Sequence, residues 1–124
     1  MKIIINTKNL DLTEARKSFT EEKFLGLKKY IDILKGEDAG KTLAEVFIDL
    51  EKETQHHKKG KIFVARAQVR LPGRILTITS REDDLYKAVV LAKDEMKLEI
   101  EKYKFKKIDK TRRQQRKAKD QLEI

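Results

Sequence analysis

Ten cations crowd into one stretch near the end of the chain: Lys102, Lys104, Lys106, Lys107, Lys110, Arg112, Arg113, Arg116, Lys117 and Lys119. Between 102 and 119 only Asp109 opposes them. Ammonium and guanidinium groups at this density attract polyanions, and same-sign blocks of this kind are interaction tails, whereas solvated helix faces alternate signs. The full sequence has 30 Lys+Arg against 21 Asp+Glu, a formal net charge of +9. Residues 102–119 account for all of that +9, because the remainder holds twenty charges of each sign. A nearly neutral body is joined to a strongly basic end whose natural chemistry is phosphate contact.

A second polar cluster runs Thr54-Gln55-His56-His57-Lys58-Lys59-Gly60. As a hairpin tip, it could donate hydrogen bonds to phosphate or stack on a base through His56 and His57, with Lys58 and Lys59 alongside; a solvated loop is the plain alternative. Neighbouring histidines on extended backbone point apart, and the chain has no cysteine, so no metal site is expected. Ser18 and Ser80 are its only serines, and neither has a base with an orienting partner nearby in sequence. Catalysis is therefore not expected, nor a cofactor, nor a small-molecule substrate. The stretch from Gly36 to Gly40-Lys41-Thr42 imitates a phosphate loop, but three residues separate its glycines where four are needed. It also follows a helical pattern and precedes a strand, the reverse of the required order.

These groups need a scaffold, and 124 residues suffice for one domain. Lys2 to Thr7 predicts an opening strand. Thr13 is a candidate N-cap for an amphipathic helix carrying Ala15, Phe19, Phe24, Leu27, Tyr30, Ile31 and Leu34 on one half, ended by Gly36. Ala44, Val46, Ile48 and Leu50 alternate with Glu45, Phe47, Asp49 and Glu51 in a half-buried strand. Phe63, Ala65, Ala67, Val69 and Leu71 alternate with Val64, Arg66, Gln68 and Arg70, and Pro72-Gly73 turns the chain into a strand from Arg74 to Thr79. Arg66 and Arg70 suit either RNA contact or cross-strand pairing with the acids of the preceding strand. A last helix, from about Glu82 to Phe105, carries the stripe Leu85, Val89, Ala92, Met96, Ile100 and Tyr103. Beside that stripe Lys93, Lys97, Lys104 and Lys107 form a cationic ridge, while Leu91, Leu98 and Phe105 form a second apolar line expected to pack on the first helix, with a self-association surface as the alternative.

The order β-α-β-β-β-α predicts an α+β, two-layer sandwich. Its four-stranded, largely antiparallel sheet would carry two helices on one face, like a double-stranded-RNA-binding domain. Residues 1–107 would form this domain and 108–124 a basic C-terminal tail, disordered when free. The N-terminus has too few apolar residues for a signal peptide, and no run approaches membrane-span length, so a soluble, cytoplasmic protein without a membrane partner is expected.

The element order, Asp84-Leu85-Tyr86-Lys87-Ala88-Val89, Glu22-Lys23-Phe24 and Leu27-Lys28-Lys29-Tyr30 together resemble the ribosome hibernation-promoting factor family, which includes the ribosome-associated inhibitors. Thr54 to Gly60 followed by Leu71-Pro72-Gly73 looks like the strand pair of its short members. The resemblance spans roughly residues 1–107. It implies a non-enzymatic factor that binds the small ribosomal subunit over the messenger and transfer RNA sites and blocks translation. A general RNA-binding or chaperone-like module is the alternative.

Carried over by residue, the resemblance makes Lys23, Lys29, Lys102 and Lys104 rRNA contacts. It gives Asp84 and Tyr86 the task of holding the last helix. Lys106, Lys107, Lys110, Arg112, Arg113 and Arg116 extend the cationic surface. Glu95, Leu98 and Glu101 stand where many members carry cations, and Lys93 and Lys97 are displaced compensations. The free chain is expected to be monomeric.

Overall fold

A computed structural model of the chain describes residues 1–35, 44–54, 61–71 and 74–122, with 33–35, 54 and 105–122 described as backbone alone. The elements are β1 (Lys2–Lys8), α1 (Glu14–Leu25), α2 (Lys28–Lys35), β2 (Glu45–Thr54), β3 (Lys61–Leu71), β4 (Arg74–Glu82) and α3 (Leu85–Leu122). The four strands form one sheet in the order β1-β2-β3-β4. β1 pairs parallel with β2, placing Ile3 against Val46 and Ile5 against Ile48, and the other two pairings are antiparallel. The result is the expected α+β architecture with a mixed sheet. A parallel β1–β2 pair requires a crossover, and α1 and α2 lie within it.

The alternation read from the strands is the alternation observed. Val46, Ile48, Leu50, Ala65, Ala67 and Val69 are fully buried on the helix-facing side. There they meet Phe24, Leu27 and Ile31 of the crossover and Ala88, Val89, Ala92, Met96 and Ile100 of α3. Val64 departs from the pattern: it lies on the outer face, between Glu51 and Arg81 in register, yet has no exposed surface.

The first helix is two helices. Gly26 caps α1, and the Leu27 N–H donates to the Phe24 carbonyl at 3.0 Å, a turn tighter than the α-helical one. The Leu27 carbonyl then accepts from Tyr30 and Ile31, which restarts the helix as α2. The buried face passes through the break, so the apolar spacing conceals it. At the other end of α1, Ala15 is exposed and Thr20 is buried instead, its hydroxyl donating to the Arg16 carbonyl at 2.8 Å. Thr13 is the expected N-cap, its Oγ1 accepting from the Arg16 N–H at 3.2 Å.

α3 differs from expectation in its length. It begins at Leu85 and its backbone stays helical to Leu122, past Phe105 and through the segment read as a separate tail. Neither glycine nor proline occurs between 85 and 122, and Lys, Arg, Gln, Glu and Ala are good helix formers, so nothing local stops it. At 1.5 Å per residue, its 38 residues span about 57 Å.

Candidate nucleic-acid interface

The start of α3 is held by two devices. Asp84 Oδ1 accepts from the backbone N–H groups of Tyr86 at 2.7 Å and Lys87 at 3.4 Å, satisfying donors that the first turn leaves unpaired. The Tyr86 ring meets Phe19 of α1 edge to face, centroids 4.7 Å apart and planes at 87°. This locks α1 to α3 and sets where the next turns of both helices face one another.

Those turns carry lysines. A cleft of about 260 Å³ lies between the α1–α2 corner and α3, lined by Lys23, Lys29, Tyr30, Lys93 and Lys97 together with Glu22, Gly26 and Leu27. Lys23 lies in the last turn of α1, Lys29 in the first turn of α2, and Lys93 and Lys97 stand one turn apart on α3. The ammonium groups of Lys29 and Lys97 each lie 5.1 Å from the centroid of the Tyr30 ring. Lys23 lies 5.3 Å from the ring of Phe19, and Lys93 touches Asp94 at 2.6 Å. Hydrogen bonding from Lys97 holds the Tyr30 phenol below its ordinary pKa, with the charge of Lys29 adding to it. The same hydrogen bond, helped by Glu101 and Asp94, raises Lys97. With Glu22 the sole carboxylate of the lining among the described residues, the cleft concentrates positive charge.

The structure therefore brings together Lys23, Lys29, Lys93 and Lys97, which the sequence scatters over three helical segments. Lys102 and Lys104 follow further along α3, where Lys102 reaches Glu99 at 3.3 Å. Lys106, Lys110, Arg113 and Lys117 continue from Lys102 at steps of three and four, and so occupy one side of the helical backbone. Lys107 stands away from that line, and Arg112 and Arg116 flank it by position. His56, His57, Lys58 and Lys59 lie outside the described residues.

Arg66 and Arg70 are on the other side of the molecule. Both project from the outer face of the sheet. Arg66 pairs with Glu51 at 3.4 Å, and the Arg70 guanidinium lies 4.3 Å from the Phe47 centroid. Lys8 also reaches Glu51, at 3.7 Å, and Arg81 reaches Glu53 at 3.9 Å. This face neutralises itself through exposed pairs, each worth at most about 1 kcal/mol.

The substituted positions on α3 have separate fates. Glu95 turns towards the sheet and accepts from the hydroxyl of buried Ser80 at 3.3 Å. Leu98 is 55% exposed, so the expected packing of the second apolar line on the first helix does not hold at that residue. Tyr30 is the cleft residue the sequence concealed: its spacing fits the apolar stripe, and only the docking of α3 brings a second lysine onto its ring. Among the described residues no group of His, Asp or Glu is placed to hold a metal ion, and no helix is long and apolar enough to cross a membrane.

A family model described as Sigma 54 modulation protein / S30EA ribosomal protein matches residues 3–108. The chain belongs to that family. A curated relative, the ribosome hibernation promoting factor of Acinetobacter guillouiae, is 27% identical over 113 residues, covering 88% of this chain and 92% of its own length. The crystal structure of the Thermus thermophilus Protein Y N-terminal domain superposes with a TM-score of 0.65 at 24% identity, covering 83% of this chain and 99% of that one. A ribosomal subunit interface protein from Coxiella burnetii gives 0.63 at 21%, covering 84% and 98%. The two structures establish the fold. The family membership agrees with the resemblance carried by Asp84-Leu85-Tyr86 and the helical lysines.

Proposed function

We propose that this chain is a short-form ribosome hibernation factor. It binds the small ribosomal subunit over the messenger and transfer RNA sites and blocks translation by occupancy, without catalysis, in the cytoplasm. One observation carries the reading: the lysines of α1, α2 and α3 converge on a single cleft while the outer sheet face cancels its own charge. A family member with one concentrated cationic face is built to dock in one orientation on a phosphate-lined surface. The names of the Acinetobacter relative and the Coxiella neighbour support the ribosome as the partner.

In this reading the cleft and Lys102–Lys104 set position on rRNA, and the basic residues from Lys106 to Arg116 add affinity without sequence preference. His56, His57, Lys58 and Lys59 contribute a further RNA contact, whereas Arg66 and Arg70 serve secondarily, because each must leave Glu51 or Phe47 to reach RNA. The test is co-sedimentation with isolated subunits. Selective binding to small subunits, relieved by messenger or initiator transfer RNA, is the expected result. Equal binding to small subunits, large subunits and bulk RNA would replace this reading with that of a general RNA-binding module.

A further inference from the structure

Contact with a phosphate backbone needs cations; it does not need an aromatic ring in their midst. Yet Tyr30 is the one ring lining the lysine cleft, with Lys29 and Lys97 both at 5.1 Å from its centroid. Proteins that take hold of unpaired or extruded nucleotides combine these same two parts, an aromatic surface for the base and cations for the neighbouring phosphates. The size of the cleft points the same way. About 260 Å³ is below the ~300–1,000 Å³ of pockets that enclose a drug-sized ligand, so the cleft has room for a base against the ring with its phosphates at the rim, whereas a duplex groove needs a projecting element to enter it.

We infer that the cleft between the α1–α2 corner and α3 is a pocket for a single unpaired RNA nucleotide. The base stacks on Tyr30, and its flanking phosphates are held by Lys23 and Lys29 on one side and Lys93 and Lys97 on the other. The inference rests on the reading that RNA is the partner, and it adds which form of RNA this site takes. The base displaces an ammonium from the Tyr30 ring, and the freed lysine moves to phosphate, so the lysine–ring contacts of the free protein are a resting arrangement of the same groups.

The chain contains no tryptophan, so Tyr30→Trp installs a single fluorescent reporter in the cleft. The full-length variant is titrated with isolated small ribosomal subunits, with a single-stranded oligouridylate, and with a blunt RNA duplex of equal length. Quenching by the subunits and the single strand, with little by the duplex, is expected. In parallel, Tyr30→Leu should lose roughly five- to a hundredfold in affinity, the range that removal of one base stack brings, and Tyr30→Phe, which keeps the ring, should recover most of that loss. Saturable subunit binding without quenching, or Tyr30→Leu binding at parental affinity, overturns the nucleotide pocket and leaves the ribosomal reading standing. Quenching by the single strand with no selective binding of the parent chain to small subunits does the opposite, keeping the pocket and removing the ribosomal assignment. Thermal melts of the three variants verify that each is folded.

Discussion

The edge of one ring meets the face of the other where Phe19 and Tyr86 stand 4.7 Å apart, and this contact joins the first helix to the last. Tyr86 remains 41% exposed, so its value lies in geometry more than in buried area. Tyr86→Phe should leave the contact intact. Tyr86→Ala should destabilise the protein by about 1–2 kcal/mol, combining the lost aromatic pair with the lost packing. It should also weaken RNA binding although no charge has changed, because α1 and α3 set the width of the lysine cleft. Chemical denaturation and subunit co-sedimentation on the same variants measure the two effects.

The cap on α3 can be tested alone. Asp84→Ala removes the acceptor for Tyr86 and Lys87 and should cost about 1 kcal/mol, whereas Asp84→Asn should recover most of it. If both substitutions prove equally costly, the carboxylate contributes by charge at the helix N-terminus and not by capping.

Charge reversal distinguishes the two faces of the molecule. Lys23→Glu and Lys97→Glu should each reduce affinity for small subunits tenfold or more, the range of about 1.5–3 kcal/mol associated with hydrogen bonds to charged groups. Arg66→Glu should change it little, because Arg66 faces away from the cleft and already pairs with Glu51. A larger effect at Arg66 would move the docking surface to the sheet.

Salt dependence measures the basic extension. If about six of its cations meet phosphates, log K should fall against log salt with a slope steeper by roughly 4 than that of a chain lacking 108–124. An unchanged slope after the deletion would confine RNA contact to the body.

The phenol of Tyr30 offers a readout without RNA. It should ionise below the ordinary tyrosine range, because the Lys97 ammonium stabilises the phenolate. Lys97→Met removes that cation and should move the titration upward; Lys29→Met should move it less. Alkaline ultraviolet titration follows both, with Tyr30→Phe identifying the signal.

Much of this was legible in the sequence, for reasons that differ by element. The strands were plain because period-two burial is a local signal, and Val46, Ile48 and Leu50 obey it without interruption. The stripe from Leu85 to Ile100 was equally direct. The break at Gly26 was hidden because it leaves Phe24, Leu27 and Ile31 on one buried face, and only the Leu27-to-Phe24 hydrogen bond reveals it. The length of α3 was readable from the absence of glycine and proline, but its charge density argued for a tail. All four cleft lysines were recognisable as candidate contacts, yet their convergence depends on tertiary docking that no local pattern encodes. The arginines of β3 illustrate the reverse case, in which two uses fit the sequence equally and the partners Glu51 and Phe47 appear only in three dimensions.

The parallel pairing of β1 with β2 gives the cleft a history as well as a shape. Its walls come from the first crossover and from the final helix, so neither segment of nascent chain carries the complete cleft by itself. Lys23 and Lys29 emerge early, but they wait for Lys93 and Lys97, which follow only after β2, β3 and β4. A protein proposed to silence ribosomes thereby assembles its means of doing so only after the ribosome making it has delivered the whole sheet.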